Sequence, residues 1–74
     1  MEILTINTYL SFAMEKTRKG YKITCLYDGS SIGYKDPCRH IGCVAKFIAE
    51  MTLAAEEMHR FEKAFDIHET VNQN

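Results

Sequence analysis

The stretch PCRHIGCVAKFIAEMTLAAEEMHRFEKAFD, residues 37–66, decides the fold. Apolar residues recur at Val44, Phe47, Met51, Ala54, Met58, Phe61 and Phe65 in alternating steps of three and four, and Ile41, Ile48 and Ala55 widen the stripe. That is the period of one face of an amphipathic helix. Asp36 can accept from the free N–H groups of a first turn, and Pro37 suits the first helical position, where no N–H is needed. The pattern predicts one long helix over 37–66. Gly42 weakens it by about 1 kcal/mol relative to Ala. Past Asp66 no Gly or Pro marks a stop, and the chain becomes a polar tail over 67–74.

Upstream of the helix the period changes to two. In residues 3–14 the even positions Leu4, Ile6, Leu10, Phe12 and Met14 are apolar, as in a half-buried strand. Ile6, Tyr9, Leu10, Ala13 and Met14 also fit helical spacing, but the β-branched start favours a strand. EKTRKG, residues 15–20, reads as a turn. Residues 21–27 and 31–35 flank Asp28-Gly29, the strongest hairpin signal in the chain. A two-residue loop there sets Cys25 opposite Ile32 and Ile23 opposite Tyr34, and a four-residue loop preserves the same faces. Pairing Met14 with Tyr21 sets Phe12 opposite Ile23 and Leu10 opposite Cys25, so the apolar faces agree. The expected fold is α+β: a three-stranded antiparallel sheet, order 1-2-3, packed on one long C-terminal helix (β-β-β-α). Residues 1–74 form a single domain in this reading, with the sheet in 1–36, the helix in 37–66 and the tail in 67–74.

Seventy-four residues allow one small core. A hydrophobic content of 46% with 26% charged residues places the chain among folded globular domains rather than disordered ones. No apolar run is long enough for a membrane span, and MEILTINTYLSF lacks the basic start and unbroken apolar core of a secretory leader, so the expected location is cytoplasmic. Cys25, Cys38 and Cys43 are odd in number and lack framework spacing, which points to reduced thiols. The net charge is −1, yet residues 1–46 carry seven basic and four acidic side chains and residues 47–74 two and six. That polarity can steer association or favour antiparallel self-pairing.

Chemistry-bearing clusters are sparse. Cys38, His40 and Cys43, with His59 and His68 downstream, invite a zinc reading, but five residues along a helix turn through about 500°, setting the two thiols about 140° apart. No metal and no cofactor is expected. Cys38 and His40 fall on different faces, and no phosphate loop, paired carboxylates or metalloprotease motif is present, so the chain is not expected to be an enzyme. Lys16, Arg18, Lys19 and Lys22 cluster in and beside the first turn. ITCLYDGSSIG, residues 23–33, followed by a helix containing Ala45, resembles the strand-turn-strand-helix half of a double-stranded-RNA-binding domain. The resemblance covers about thirty residues, implies that local topology, and departs from the family at Pro37, Cys38 and Arg39.

Length turns the helix into a functional clue. About 29 helical residues span about 43 Å, whereas seven strand residues span about 23 Å. If Ile41 to about Met51 cover the sheet, Met58, Phe61 and Phe65 are left for a second molecule. The expectation is a non-enzymatic protein-interaction module that docks on and blocks a larger protein, an inhibitor or regulator of the phage or mobile-element type. It is expected to be a homodimer through Met58, Phe61 and Phe65, with Lys16, Arg18, Lys19 and Tyr9 facing the target. The alternatives are nucleic-acid binding through the basic hairpin region and sequestration of a small anionic ligand at a subunit interface. Phosphate contacts would make affinity fall steeply with salt, and an apolar docking surface would not.

Overall fold

The computed structural model describes residues 1–72, with side chains through Phe65. Strands β1 (Glu2–Thr5), β2 (Leu10–Thr17), β3 (Gly20–Tyr27) and β4 (Ser30–Cys38) form one antiparallel sheet in the order β1-β2-β3-β4, and α1 (Ile41–Asn72) packs on one face of it. The α+β class and the antiparallel sheet on one C-terminal helix agree with the sequence pattern. The strand count does not: there are four strands, not three. Residues 3–14 reverse at Ile6–Tyr9, where Asn7 Oδ1 accepts the N–H groups of Tyr9 and Leu10 at 3.0 and 2.9 Å. The N–H groups of Ile6 and Asn7 in turn donate to the Leu10 carbonyl. Asn supports such a turn because its side chain bonds the backbone two residues on. β1 then pairs Leu4 with Phe12 and Glu2 with Met14. Even positions face the helix on both sides of the turn, so the alternation runs through it unbroken and conceals it.

The β2–β3 loop is only Arg18-Lys19, with Thr17 opposite Gly20. Met14 therefore opposes Ile23, Phe12 opposes Cys25 and Leu10 opposes Tyr27, two residues away from the expected pairing. A shift of two preserves the faces. The β3–β4 turn is the shorter of the two even loops that fit the sequence, with Asp28 at φ 50° and Gly29 at φ 82°, the left-handed pair of a type I′ turn. Beyond Leu26 opposite Ser31 the register slips by one, so that Cys25 opposes Gly33 and Thr24 opposes Tyr34. A one-residue slip sends a side chain to the other face. Tyr34, expected beside Ile23 over the core, instead stands 67% exposed, with the Lys22 ammonium 5.9 Å from its ring centroid.

β4 continues through a cis Asp36–Pro37 peptide to Cys38, which opposes Tyr21 and is wholly buried. Asp36 and Pro37 thus close a strand instead of opening the helix. Proline is tolerated there because β4 is an edge strand. The helix begins four residues later than expected, with the N–H groups of Cys43 and Val44 directed at the His40 carbonyl. Its backbone reaches Asn72; the rest of the tail expected over 67–74 lies outside the described residues.

Leu10, Phe12, Ile23, Cys25, Tyr27 and Cys38 from the sheet meet Val44, Phe47 and Ala55 from the helix in one core. Phe12 and Phe47 pack edge to face with centroids 6.2 Å apart, a favoured arrangement for two aromatic rings. Met51 lies over Gly33 so closely that a Cβ on that glycine would sit 3.0 Å from Met51 Cε. Gly20, at φ 138°, has no room for a side chain either, since a Cβ would run into the Cys38 carbonyl. Gly20→Ala is expected to cost about 2–3 kcal/mol in urea unfolding. Gly42→Ala, with open space around it in the first helical turn, is expected to gain about 0.5 kcal/mol.

Candidate interaction surfaces

The far end of the sheet is tied to the helix by a cluster of polar aromatics. Tyr9, at the head of β2, stacks on His59 with centroids 3.9 Å apart and planes 13° from parallel, and it tilts against Tyr27 at 5.6 Å. The Tyr27 hydroxyl donates to Glu62 Oε2 at 2.6 Å and lies 3.4 Å from His59 Nδ1. With its proton given to Glu62, the phenol can only accept from His59, so this longer contact requires the tautomer protonated at Nδ1. The Glu62 hydrogen bond, then burial, then the charge of Glu62 push the Tyr27 hydroxyl up to about 12.

This cluster shows how far the sheet is covered. Contact runs from Val44 to Glu62, about 27 Å of helix, matching strands of eight and nine residues. The expectation that coverage stops near Met51 falls short by three turns: strands longer than seven residues account for about one turn, and the long side chains of Tyr9 and Tyr27 carry contact on to His59 and Glu62. Beyond Glu62 the helix leaves the sheet. Phe65, past that point, is 65% exposed, and Met58 and Phe61, still within the length of the sheet, are 37% and 68% exposed. The three residues expected for self-association thus share a flank that their own chain leaves open.

Lys16, Arg18 and Lys19 stand together, exposed, at the β2–β3 tip. Tyr9 does not belong with them. It lies at the opposite end of β2, about 25 Å away along the strand, and is held in the aromatic cluster. Tyr9, expected to face the target with the basic residues, is thus set apart from them by the length of the strand.

Two features have no counterpart in the sequence reading. One is an apolar groove of about 250 Å³ between β1 and the first half of α1, with Leu4, Ile41 and Ile48 on its walls and Phe12, Ile23 and Val44 at its base. The other is a thiol pair. Cys38 ends β4 and Cys43 lies in the first turn of α1, and their Sγ atoms are 2.8 Å apart. The 140° separation presumed one continuous helix; the chain instead turns at Arg39–His40 and folds Cys43 back onto Cys38. Among the described residues no group of three or more His, Cys, Asp or Glu side chains could hold a metal ion, and the side chain of His68 lies outside that set. No described helix is long and apolar enough to cross a membrane.

No protein-family model, curated protein or solved structure matches the chain.

The Tyr27 hydrogen bond gives an alkaline signature. A hydroxyl whose pKa is raised on folding contributes stability that is complete below the unfolded value near 10 and lost as pH rises through about 12. The urea midpoint is expected to fall across that window, and less steeply in Tyr27→Phe. An ultraviolet titration of the folded chain should show one phenol ionising near pH 12 that the variant lacks.

Proposed function

We propose that the chain is a non-enzymatic protein-interaction module that pairs with a second copy of itself through the distal helix and docks as an inhibitor or regulator on a larger protein. The observation that supports this reading is the exposure of Phe61 and Phe65 on an apolar stripe that has turned off the sheet by Phe61 and outruns it at Phe65. Two periods along α1 favour another helix as the occupant. The residues that meet the sheet, Val44, Ile48, Met51, Ala55, His59 and Glu62, step 4-3-4-4-3, an average of 3.6. The stripe that ends in Met58, Phe61 and Phe65 steps by an average of 3.5, the repeat by which two helices wind around each other left-handedly. An antiparallel pair is favoured, because a parallel one would set Glu56, Glu57 and Glu62 of the two copies level with one another.

Met58, Phe61 and Phe65 expose roughly 300 Å² between them, well below the roughly 800 Å² per partner of a standard interface. The pair is therefore a weak dimer that leaves both hairpin tips free at its ends. In that arrangement Lys16, Arg18 and Lys19 form the target-facing set, suited to an acidic patch on the partner protein.

Light scattering tests the self-association. The mass of the intact chain should rise from monomer towards dimer with concentration, while Phe61→Asp, Phe65→Asp should remain a monomer with an unchanged circular dichroism spectrum. A wild-type monomer at every concentration would refute the pairing. The basic tip has its own test: if a labelled nucleic acid binds with a steep salt dependence that Lys16→Ala, Arg18→Ala, Lys19→Ala abolishes, the tip serves phosphate and the protein-docking role is wrong.

A further inference from the structure

We propose that Cys38 and Cys43 form a thiol–disulfide exchange site that accepts small disulfides of the glutathione type and closes into a disulfide joining β4 to α1. The inference is independent of the pairing described above. It rests on the 2.8 Å separation of the two sulfurs and on their unequal access to solvent. A disulfide needs about 2.05 Å, so closure asks for a shift of less than 1 Å. Cys25, the third thiol, is buried under the sheet and is not part of the pair.

The two sulfurs have different roles. Cys38 is wholly buried, and burial first, then the contact with Cys43, push its thiol up to about 11. It stays protonated near neutral pH and out of reach of a reagent. Cys43 is only partly buried and meets the reagent first. Its thiolate attacks oxidised glutathione, forming a Cys43–glutathione bond and releasing one glutathione thiolate, which takes up a proton. Cys38 then loses its proton to that solvent pool, attacks the Cys43 sulfur and expels the second glutathione. Two protein thiols are oxidised to one disulfide, and one glutathione disulfide is reduced to two thiols.

The location gives the bond a consequence. The first turn of α1 contains no acidic residue, and the junction turns on Arg39 and His40 without a Ser, Thr, Asp or Asn cap. Closure would fasten the start of the helix to the end of the sheet where no side-chain cap does so.

The test uses the full chain. Incubated with oxidised glutathione, alkylated and digested by trypsin without reduction, it should yield peptide 36–39 (DPCR) joined to peptide 40–46 (HIGCVAK). Cys25 should be recovered alkylated. At a fixed ratio of oxidised to reduced glutathione, the closed-to-open ratio should be at least about tenfold higher in buffer than in concentrated urea, because the fold holds the sulfurs together. Cys25→Ser should close as the parent does. Cys38→Ser should stop at a lasting glutathione adduct on Cys43, and should it fail to fold, the peptide map of the parent decides alone. Equal closure in buffer and urea, a lasting adduct on Cys43 of the parent chain, or cross-links to Cys25 would each overturn the proposal.

Discussion

One helix has to cover four strands, and most of the molecule follows from that mismatch. Neighbouring strands lie about 4.8 Å apart, so the outer axes of a four-stranded sheet are about 14 Å from each other, while a helix with its side chains is about 10–12 Å across. The helix is too narrow. It settles over β2, β3 and β4, and Leu4 on β1 is left half exposed beside Ile41 and Ile48. Along its axis the same helix is too long: 32 residues run for about 48 Å over strands of about 30 Å. The resulting body measures 55 × 19 × 17 Å, and the groove beside β1 and the overhang past Glu62 are two halves of one problem in fit.

With so little width to spare, the helix needs fixing at each end. Near its start, Cys38 opposes Tyr21 and touches Cys43, while Gly20 presses against the Cys38 carbonyl, so the base of the basic hairpin tip and the root of the helix share contacts. At the far end Tyr27 reaches Glu62 and Tyr9 lies flat on His59. Between them, Met51 over Gly33 and Phe47 against Phe12 set the height of the helix above the sheet. His59, only partly buried, is held at the far end because a stacked ring and a hydroxyl meet it on two sides.

The parts that could be read from the sequence are those where a period survives tertiary contact. The alternation of Leu10, Phe12 and Met14 and the Asp28-Gly29 turn translate directly into the sheet, and Val44 and Phe47 into the core. The errors share a cause: a local signal compatible with two structures was decided by a distant partner. Asp36-Pro37 suits a helix start as well as the end of an edge strand, and the pairing of Cys38 with Tyr21 chose the strand. Asn7 alone marked the first turn, within an alternation that an even-numbered hairpin register preserves. The slip at Cys25 that exposes Tyr34 has no sequence signal beyond Gly33, whose missing side chain makes way for Met51. The thiol pair was illegible for a derived reason, since its geometry depends on where the helix begins.

The stripe of Met58, Phe61 and Phe65 owes its exposure to two separate causes, and Met58 and Phe61, both short of Glu62, tell them apart. A stripe with a 3.5-residue repeat falls behind a 3.6-residue helix by about 20° per heptad. Val44 to Phe65 is three heptads, so the stripe turns by about 60°, enough to carry it from the middle of the contact face to its edge. Overhang cannot explain Met58, which precedes His59 and Glu62, both still in contact with the sheet. Its partial exposure is rotation alone. Phe65, past the last contact, adds overhang to rotation. One continuous helix therefore serves as core at its beginning and as open surface at its end, and Thr52, whose hydroxyl bonds the Ile48 carbonyl at 2.7 Å, sits within it without breaking it. The repeat that carries the stripe off its own sheet is the one that a second helix would follow.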